Sequence, residues 1–177
     1  MKLPKLESII DGVTRETYTL ILSNSGAGKT SFALYAYVYR PLMERLDDDD
    51  FKVLYFSLEM GEVALYIKLL SIYIFETYGI QLSFKKILSR EKEYILSDEH
   101  YDLVKQCMPW IDKISKKLEI YDKKVTPKKV YAILKTRLEE MGTFSESETR
   151  LVYTPNNPNL IYNVVVDHIG LVGTKPD

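Results

Sequence analysis

The sequence contains little of what identifies several classes of protein. One cysteine, Cys107, in 177 residues excludes an internal disulfide framework, and we expect it to be a small residue on a helix face. A net charge of −1 gives no overall attraction to nucleic acid or to an anionic membrane. The N-terminus shows no apolar segment of a signal peptide. The most apolar run, residues 63–75, contains Lys68 and is too short to span a membrane, so we expect a cytoplasmic protein without membrane contact.

The composition and the order of strand and helix patterns predict one α/β domain. Apolar residues make up 46% of the chain and charged residues 28%, as in soluble globular proteins. Strand patterns alternate with helical ones, which predicts a mostly parallel sheet flanked by helices over residues 1–177. The run at residues 164–166 is continuously apolar and predicts a central strand covered on both faces. The predicted strands are residues 17–23, 51–60, 118–122 and 160–172.

Local signals also predict where the helices begin and end. Pro41 should kink or end the helix that follows the first strand, and Gly79 occupies the position of a helix C-terminal glycine. Ser97 and Thr126 stand where helices begin, Thr126 as an N-cap. Residues 143–159, rich in Ser, Thr, Asn and Pro, predict a loop insertion with a short strand inside it. The predicted helices cover residues 29–40, 62–78, 83–116 and 127–141, and the short strand covers residues 151–153.

The segment ILSNSGAGKTS, residues 21–31, has the form of a phosphate-binding loop (P-loop, or Walker A), with Ser23 at the position of its first glycine. Backbone N–H groups of such a loop point at one anion, and a small serine can begin it where no positive φ is needed. Lys29 would reach the β- and γ-phosphates, and the Thr30 hydroxyl would bind Mg²⁺. The alternative is a Gly-Ser turn before a helix that contains Lys-Thr by chance. The residues predicted to bind the nucleotide are Ser23, Asn24, Ser25, Gly26, Ala27, Gly28, Lys29, Thr30 and Ser31.

Acidic residues at two predicted strand ends complete the pattern. The carboxyl ends of parallel strands meet at the edge where ligands bind in open α/β sheets. Asp167 ends the strongest strand, where its carboxylate would hold Mg²⁺ in the manner of a Walker B aspartate. Glu59 is a candidate base for the water that attacks the γ-phosphate, and its alternative role is an acid at the start of the next helix. His168 either contacts the γ-phosphate region or fills the strand end.

Together these segments resemble the RecA-like ATPase core of DnaB-family replicative helicases. In that family Ala often replaces the first glycine of the loop, in keeping with Ser23, and YFSLEM is similar to the motif whose glutamate is the catalytic base, matched by Glu59. IYDKKVTPKKVYAILKTRL is similar to the strand, Thr-Pro helix start and long helix that precede the Walker B strand. VVVDHIGLV is similar to the strand that ends in Asp-Tyr-Leu-Gln. Asp167 matches this strand end, whereas His168 and Gly170 depart from it.

The resemblance covers about residues 12–173 and implies ATP and Mg²⁺ as cofactors. Members of the family form hexameric rings around single-stranded DNA, with ATP between subunits. Their arginine finger, DNA-binding loops and γ-phosphate-sensing glutamine lie after the Walker B strand. We therefore expect the front half of a RecA-like core without its C-terminal strands, from a phage-type or truncated helicase of a bacterial or phage-infected cell.

The function implied by the resemblance is ATP hydrolysis that drives translocation on single-stranded DNA. Glu59 and Lys29 would be catalytic, and Thr30 and Asp167 would bind the metal. We expect the chain alone to bind ATP weakly and hydrolyse it slowly. An open sheet edge and apolar surface should need a partner or self-association. Two alternatives stay open. One is a non-catalytic RecA-like module for assembly or loading, and the other is a small P-loop kinase, although no Arg-rich lid or substrate Asp-Arg motif is clear.

Overall fold

A computed structural model describes residues 16–88, 95–146 and 150–173 of the chain. Part of the predicted helical stretch, residues 89–94, lies outside this range. The strands are β1 (Phe51–Ser57), β2 (Leu118–Tyr121), β3 (Gly142–Glu146), β4 (Leu151–Pro155) and β5 (Ile161–Asp167). The helices are α1 (Lys29–Ala33), a π-helical segment (Leu34–Tyr39), α2 (Arg40–Glu44), α3 (Glu62–Tyr78), α4 (Phe84–Leu88), α5 (Asp98–Gln106), α6 (Met108–Ser115), α7 (Pro127–Met141) and a 3-10 turn (Ile169–Leu171).

The fold is α/β, with a three-stranded parallel sheet in the order β2-β1-β5 among the described residues. The central strand β1 is buried at six of its seven positions because helices cover both faces. On one face Val53 and Tyr55 pack with residues of the π-helical segment, α3 and α6. On the other face Leu54 and Phe56 pack against Val125 and residues of α7. The predicted parallel sheet flanked by helices is therefore confirmed.

The helix ends follow the local signals in the sequence. Gly79 ends α3 with a φ of 70°, a conformation that glycine adopts readily because it lacks a Cβ atom. The Ser97 side chain accepts a hydrogen bond from the backbone N–H of His100, and Thr126 accepts one from Lys129. These caps satisfy N–H groups that have no partner within the first turn of a helix. Cys107 is buried at the junction of α5 and α6, as expected for a small residue.

Pro41 does not end its helix, which continues to Glu44. The π-helical segment lies directly before it, where the proline ring would crowd the carbonyl of Tyr37, four residues back. Pro41 also has no N–H to donate to that carbonyl. The Asn163 side chain of β5 donates to it instead, with Nδ2 2.7 Å from Tyr37 O. This hydrogen bond joins the helix after residues 23–28 to the strand that ends at Asp167.

The predicted first strand, residues 17–23, is not a strand. Residues 17–24 have no regular secondary structure, and a cavity lies between them and the outer edge of β5. Paired strands lie about 5 Å apart with facing N–H and C=O groups, so a segment on the far side of a cavity cannot pair with β5. Three large apolar residues of the segment are exposed as a result: Tyr18 at 80%, Leu20 at 55% and Leu22 at 79%.

Strand β5 lies at the edge of the described sheet, so the prediction of a central strand is wrong. Ile161 N–H donates to Asp50 O on the side of β1, at 2.7 Å. Alternate residues of a parallel strand turn their main-chain groups to opposite sides, so those of Tyr162, Val164 and Val166 face away from β1. The apolar run indicates that the strand is buried. Whether the strand has a neighbour on each side depends on the strand order.

The insertion expected at residues 143–159 is a β-hairpin rather than a loop. Strands β3 and β4 pair in antiparallel register, so the short strand predicted at residues 151–153 is confirmed and lengthened, and its partner was missed. Gly142 begins β3 in extended conformation, next to the carbonyl of Thr154. A Cβ atom at residue 142 would lie 2.4 Å from that oxygen, so only glycine fits. No helix in the described part of the chain is long and apolar enough to cross a membrane.

Candidate functional site

The loop at residues 23–28, called the glycine loop below, has the tight curvature that its sequence predicts. Gly26 and Gly28 have φ values of 78° and 88°, which residues with a Cβ atom rarely adopt. Ala27 N–H donates to Asn24 O at 3.3 Å and closes the turn. Cβ atoms added to the two glycines would meet nothing within 4 Å, so the space beside them is open. The glycines are therefore required by the backbone conformation, and the predicted role of small residues here is consistent with it.

Lys29 turns back over the glycine loop. Its Nζ atom donates to the carbonyls of Ser23 and Asn24, at 3.0 Å each. A lysine ammonium has three donors, so two of them are held by the loop itself. An anion bound at the loop would compete for these donors, because a charge-assisted hydrogen bond is stronger than one to a neutral carbonyl.

Asp167 is a buried carboxylate at the end of β5. It is 6% exposed, and its Oδ2 atom accepts a hydrogen bond from the Tyr55 hydroxyl at 2.8 Å. Burial, followed by the charge and the hydrogen bond of Asp167, raises the pKa of Tyr55 above its usual value. The hydroxyl therefore keeps its hydrogen and fixes the orientation of the carboxylate. The peptide bond between Asp167 and His168 is cis.

Glu59 lies on a bend after β1 rather than within the predicted strand, which ends at Ser57. Its Oε1 atom is 2.9 Å from His168 Nε2. The other ring nitrogen of His168, Nδ1, accepts a hydrogen bond from the backbone N–H of Gly170 at 3.2 Å. His168 is thus held between the 3-10 turn and Glu59.

A cavity of about 380 Å³ brings several of these residues together. Its volume is within the range of small-molecule sites. One wall is formed by residues 17–23 and the other by residues 163–169, with Lys29, Ala33 and Tyr37 between them. Of the predicted site residues, Ser23, Lys29 and Asp167 line this cavity, and His168 lines it too. Glu59, Thr30, Ser31 and residues 24–28 are not among the lining residues, although the loop and Lys29 are joined by the hydrogen bonds described above.

The residue types of the cavity, and of the glycine loop and helix start next to it, fit a phosphate with a hard cation. The curled loop and the Lys29 ammonium suit an anion, and Asp167 and the Thr30 hydroxyl are oxygen ligands of the kind that Mg²⁺ prefers. Within the described ranges no group of three or more His, Cys, Asp or Glu side chains could hold a metal ion. A magnesium ion would therefore need oxygen atoms from a bound phosphate or from water, which is how it is commonly held in nucleotide sites.

Two contacts of the site were not anticipated from the sequence. Tyr55 pairs with Val165 in the ladder, and Asp167 is the diagonal neighbour two residues further along β5. Asn163 anchors the helix that follows the glycine loop, as described above. Strand alternation and the pairing register together place Tyr55 and Asp167 on a common face. The sequence does not specify that register, so this contact could not be predicted.

The chain matches no protein-family model, and it has no significant match among curated proteins or solved structures. A functional interpretation therefore rests on the chemistry of its own residues. Lys29 and the buried carboxylate of Asp167 line one cavity, and Lys29 is hydrogen-bonded to the curled glycine loop beside it.

Proposed function

We propose that this chain is an ATP-binding module of the phosphate-loop class with a RecA-like fold. The observation that carries the proposal is that Lys29 and Asp167 line one cavity beside a loop whose two glycines have positive φ. A basic group next to a curled loop recognises phosphate, and a carboxylate across the cavity suits the accompanying Mg²⁺. The alternative of a chance Gly-Ser turn gives no reason for the side chain of Lys29 to fold back over the loop.

Each residue of the site has a separate role in this proposal. Bound MgATP supplies a γ-phosphoryl group with a divalent cation beside it. Lys29 exchanges its two loop carbonyls for phosphate oxygens and neutralises their charge. Thr30 and Asp167 would hold the cation, and Tyr55 keeps the Asp167 carboxylate in one orientation. Glu59 accepts the proton of the attacking water.

The finer identity rests on the sequence resemblance to DnaB-family helicases. On that basis we propose that the module is part of a ring-forming motor that acts on single-stranded DNA. Sites in that family are completed by a neighbouring subunit, so we expect slow hydrolysis by the chain alone. Stimulation of ATP hydrolysis by single-stranded DNA would support a motor, and phosphate transfer to a nucleoside monophosphate would support a small kinase instead.

A binding titration with MgATP and Lys29→Ala tests the nucleotide site directly. Loss of a charge-assisted hydrogen bond costs about 1.5–3 kcal/mol, which corresponds to a roughly 10- to 150-fold weaker Kd. The matched control is Lys128→Ala, which removes an exposed lysine from the first turn of α7 and should leave the Kd unchanged. Equal affinity of the wild type and Lys29→Ala for MgATP would contradict the proposed site.

A further inference from the structure

His168 stands between the cavity and Glu59. It lines the cavity, whereas Glu59 does not, and its Nε2 atom is 2.9 Å from Glu59 Oε1. Its Nδ1 atom accepts the N–H of Gly170 at 3.2 Å. A ring nitrogen that accepts a hydrogen bond carries no hydrogen, so the ring hydrogen lies on Nε2 and is donated to Glu59. The backbone of the 3-10 turn thus selects the tautomer that can hold the carboxylate.

The main chain on both sides of this contact is fixed by the sheet. Ser57 pairs with Asp167 in the ladder, and Leu58 N–H donates to Asp167 O at 2.8 Å. Glu59 and His168 follow these anchored positions directly. Gly170 lies close to the ring, since a Cβ atom there would be 3.0 Å from both Cε1 and Nδ1 of His168. An alanine at residue 170 would therefore crowd the imidazole and shift it.

The stability of the fold does not account for this arrangement. The side chains of His168 and Glu59 are 38% and 45% exposed, and ion pairs or hydrogen bonds at such sites contribute little to stability. His168 lines the cavity and Glu59 contacts His168 directly, which suggests a role in the chemistry instead. His168 contacts Glu59, and the backbone N–H of Gly170 in turn holds His168.

We propose that His168 is a positioning residue for Glu59, an inference that rests on the proposed role of Glu59 as the base. The Nε2–H group holds Oε1, which leaves Oε2 to accept the proton of a water molecule. A base that is itself oriented by a third group is a recurring arrangement in hydrolytic sites. His168 touches neither the nucleotide nor the water in this role.

Kinetics of His168 variants separate positioning from folding. His168→Ala should lower the single-turnover rate constant for ATP hydrolysis about 10- to 100-fold, because a misplaced base reacts slowly. The KM for ATP should change by less than about twofold, since the glycine loop and Lys29 are untouched. His168→Gln should recover most of the rate, because its amide N–H can donate from nearly the same position as Nε2–H. The control is His100→Ala, which removes the other histidine of the chain and should have wild-type kinetics.

A spectroscopic measurement tests the contact without any need for hydrolysis. With two histidines in the chain, long-range proton–nitrogen NMR correlations can be assigned by the two single variants. We expect His168 to be the Nε2–H tautomer and its ring nitrogen shifts to change in Glu59→Gln, while those of His100 do not. Hydrogen on Nδ1, or ring shifts that ignore Glu59→Gln, would overturn the proposal.

The outcomes distinguish this inference from the proposed function. Unchanged hydrolysis in His168→Ala, with ATP binding lost in Lys29→Ala, would overturn the role of His168 and leave the nucleotide site intact. ATP binding without any hydrolysis by the wild type would overturn the role of Glu59 as base, and that of His168 with it. No ATP binding by the wild type would overturn the proposed function itself.

Discussion

Replacing Asn163 with alanine should detach the helix after the glycine loop from strand β5. Asn163 Nδ2 donates to Tyr37 O at 2.7 Å in a partly buried contact. In an ordinary α-helix the residue four positions later would donate to that carbonyl, but this residue is Pro41, which has no N–H. Asn163→Ala therefore leaves the Tyr37 carbonyl without this donor.

The size of the effect follows from the chemistry of this carbonyl. A neutral hydrogen bond contributes about 0.5–1.5 kcal/mol net, and an acceptor left unsatisfied when buried costs about 1–3 kcal/mol. Because the contact is only partly buried, we expect the free energy of unfolding to fall by about 1–2 kcal/mol. For a chain of this size the Tm should drop by about 2–8 °C.

The assay is urea unfolding of four proteins: the wild type, Asn163→Ala, Pro41→Ala and the double variant. Pro41→Ala supplies an N–H four residues after Tyr37, so it can replace the lost donor. Asn163→Ala should then cost less than about 0.5 kcal/mol in the Pro41→Ala background. An equal loss in both backgrounds would show that Asn163 does not compensate for the proline.

Two further predictions concern pH and association. Burial is the largest cause that raises the pKa of Tyr39 and of Tyr55, so the unfolded chain loses these protons at lower pH than the folded one. Stability is therefore retained below about pH 10 and should fall above it, by about 2 kcal/mol between pH 10 and 11 for the two groups. Urea midpoints between pH 9 and 11 would measure this decline, and Tyr39→Phe should make it shallower; an unaltered slope would contradict the assignment. Leu20→Ser with Leu22→Ser should reduce concentration-dependent self-association in sedimentation experiments, because both side chains are exposed. The control is Val63→Ser, an exposed position on α3, and an equal effect there would argue against a specific surface.

Much of the local structure could be predicted from the sequence. The N-cap at Thr126 and the C-terminal glycine at Gly79 depend on interactions within a few residues, which the sequence states directly. The positive φ values of Gly26 and Gly28 likewise follow from a loop that must curl within six residues. The parallel sheet followed from the alternation of strands and helices, because parallel neighbours need a crossover between them.

Predictions about the insertion and about the helix that contains Pro41 were less complete. Residues 143–159 read as a loop because Ser, Asn and Pro are common in loops, but such residues also flank hairpins, and β3 has few of the usual strand residues. Pro41 was expected to kink or end its helix. The free-energy cost of this proline is reduced by the side chain of Asn163, from a strand more than a hundred residues away. No local sequence pattern indicates such a contact.

The candidate chemistry follows from the sequence alone: a lysine and small residues suited to phosphate, and carboxylates at or just after the ends of two strands. The tertiary structure alone decided which of these groups meet. Residues 17–23 have a strand composition but lie across a cavity from β5, outside the sheet. Tyr55 holds Asp167 across 112 residues of sequence, and His168 holds Glu59. Such contacts depend on strand order and register, which are set by packing over the whole fold rather than by any local pattern.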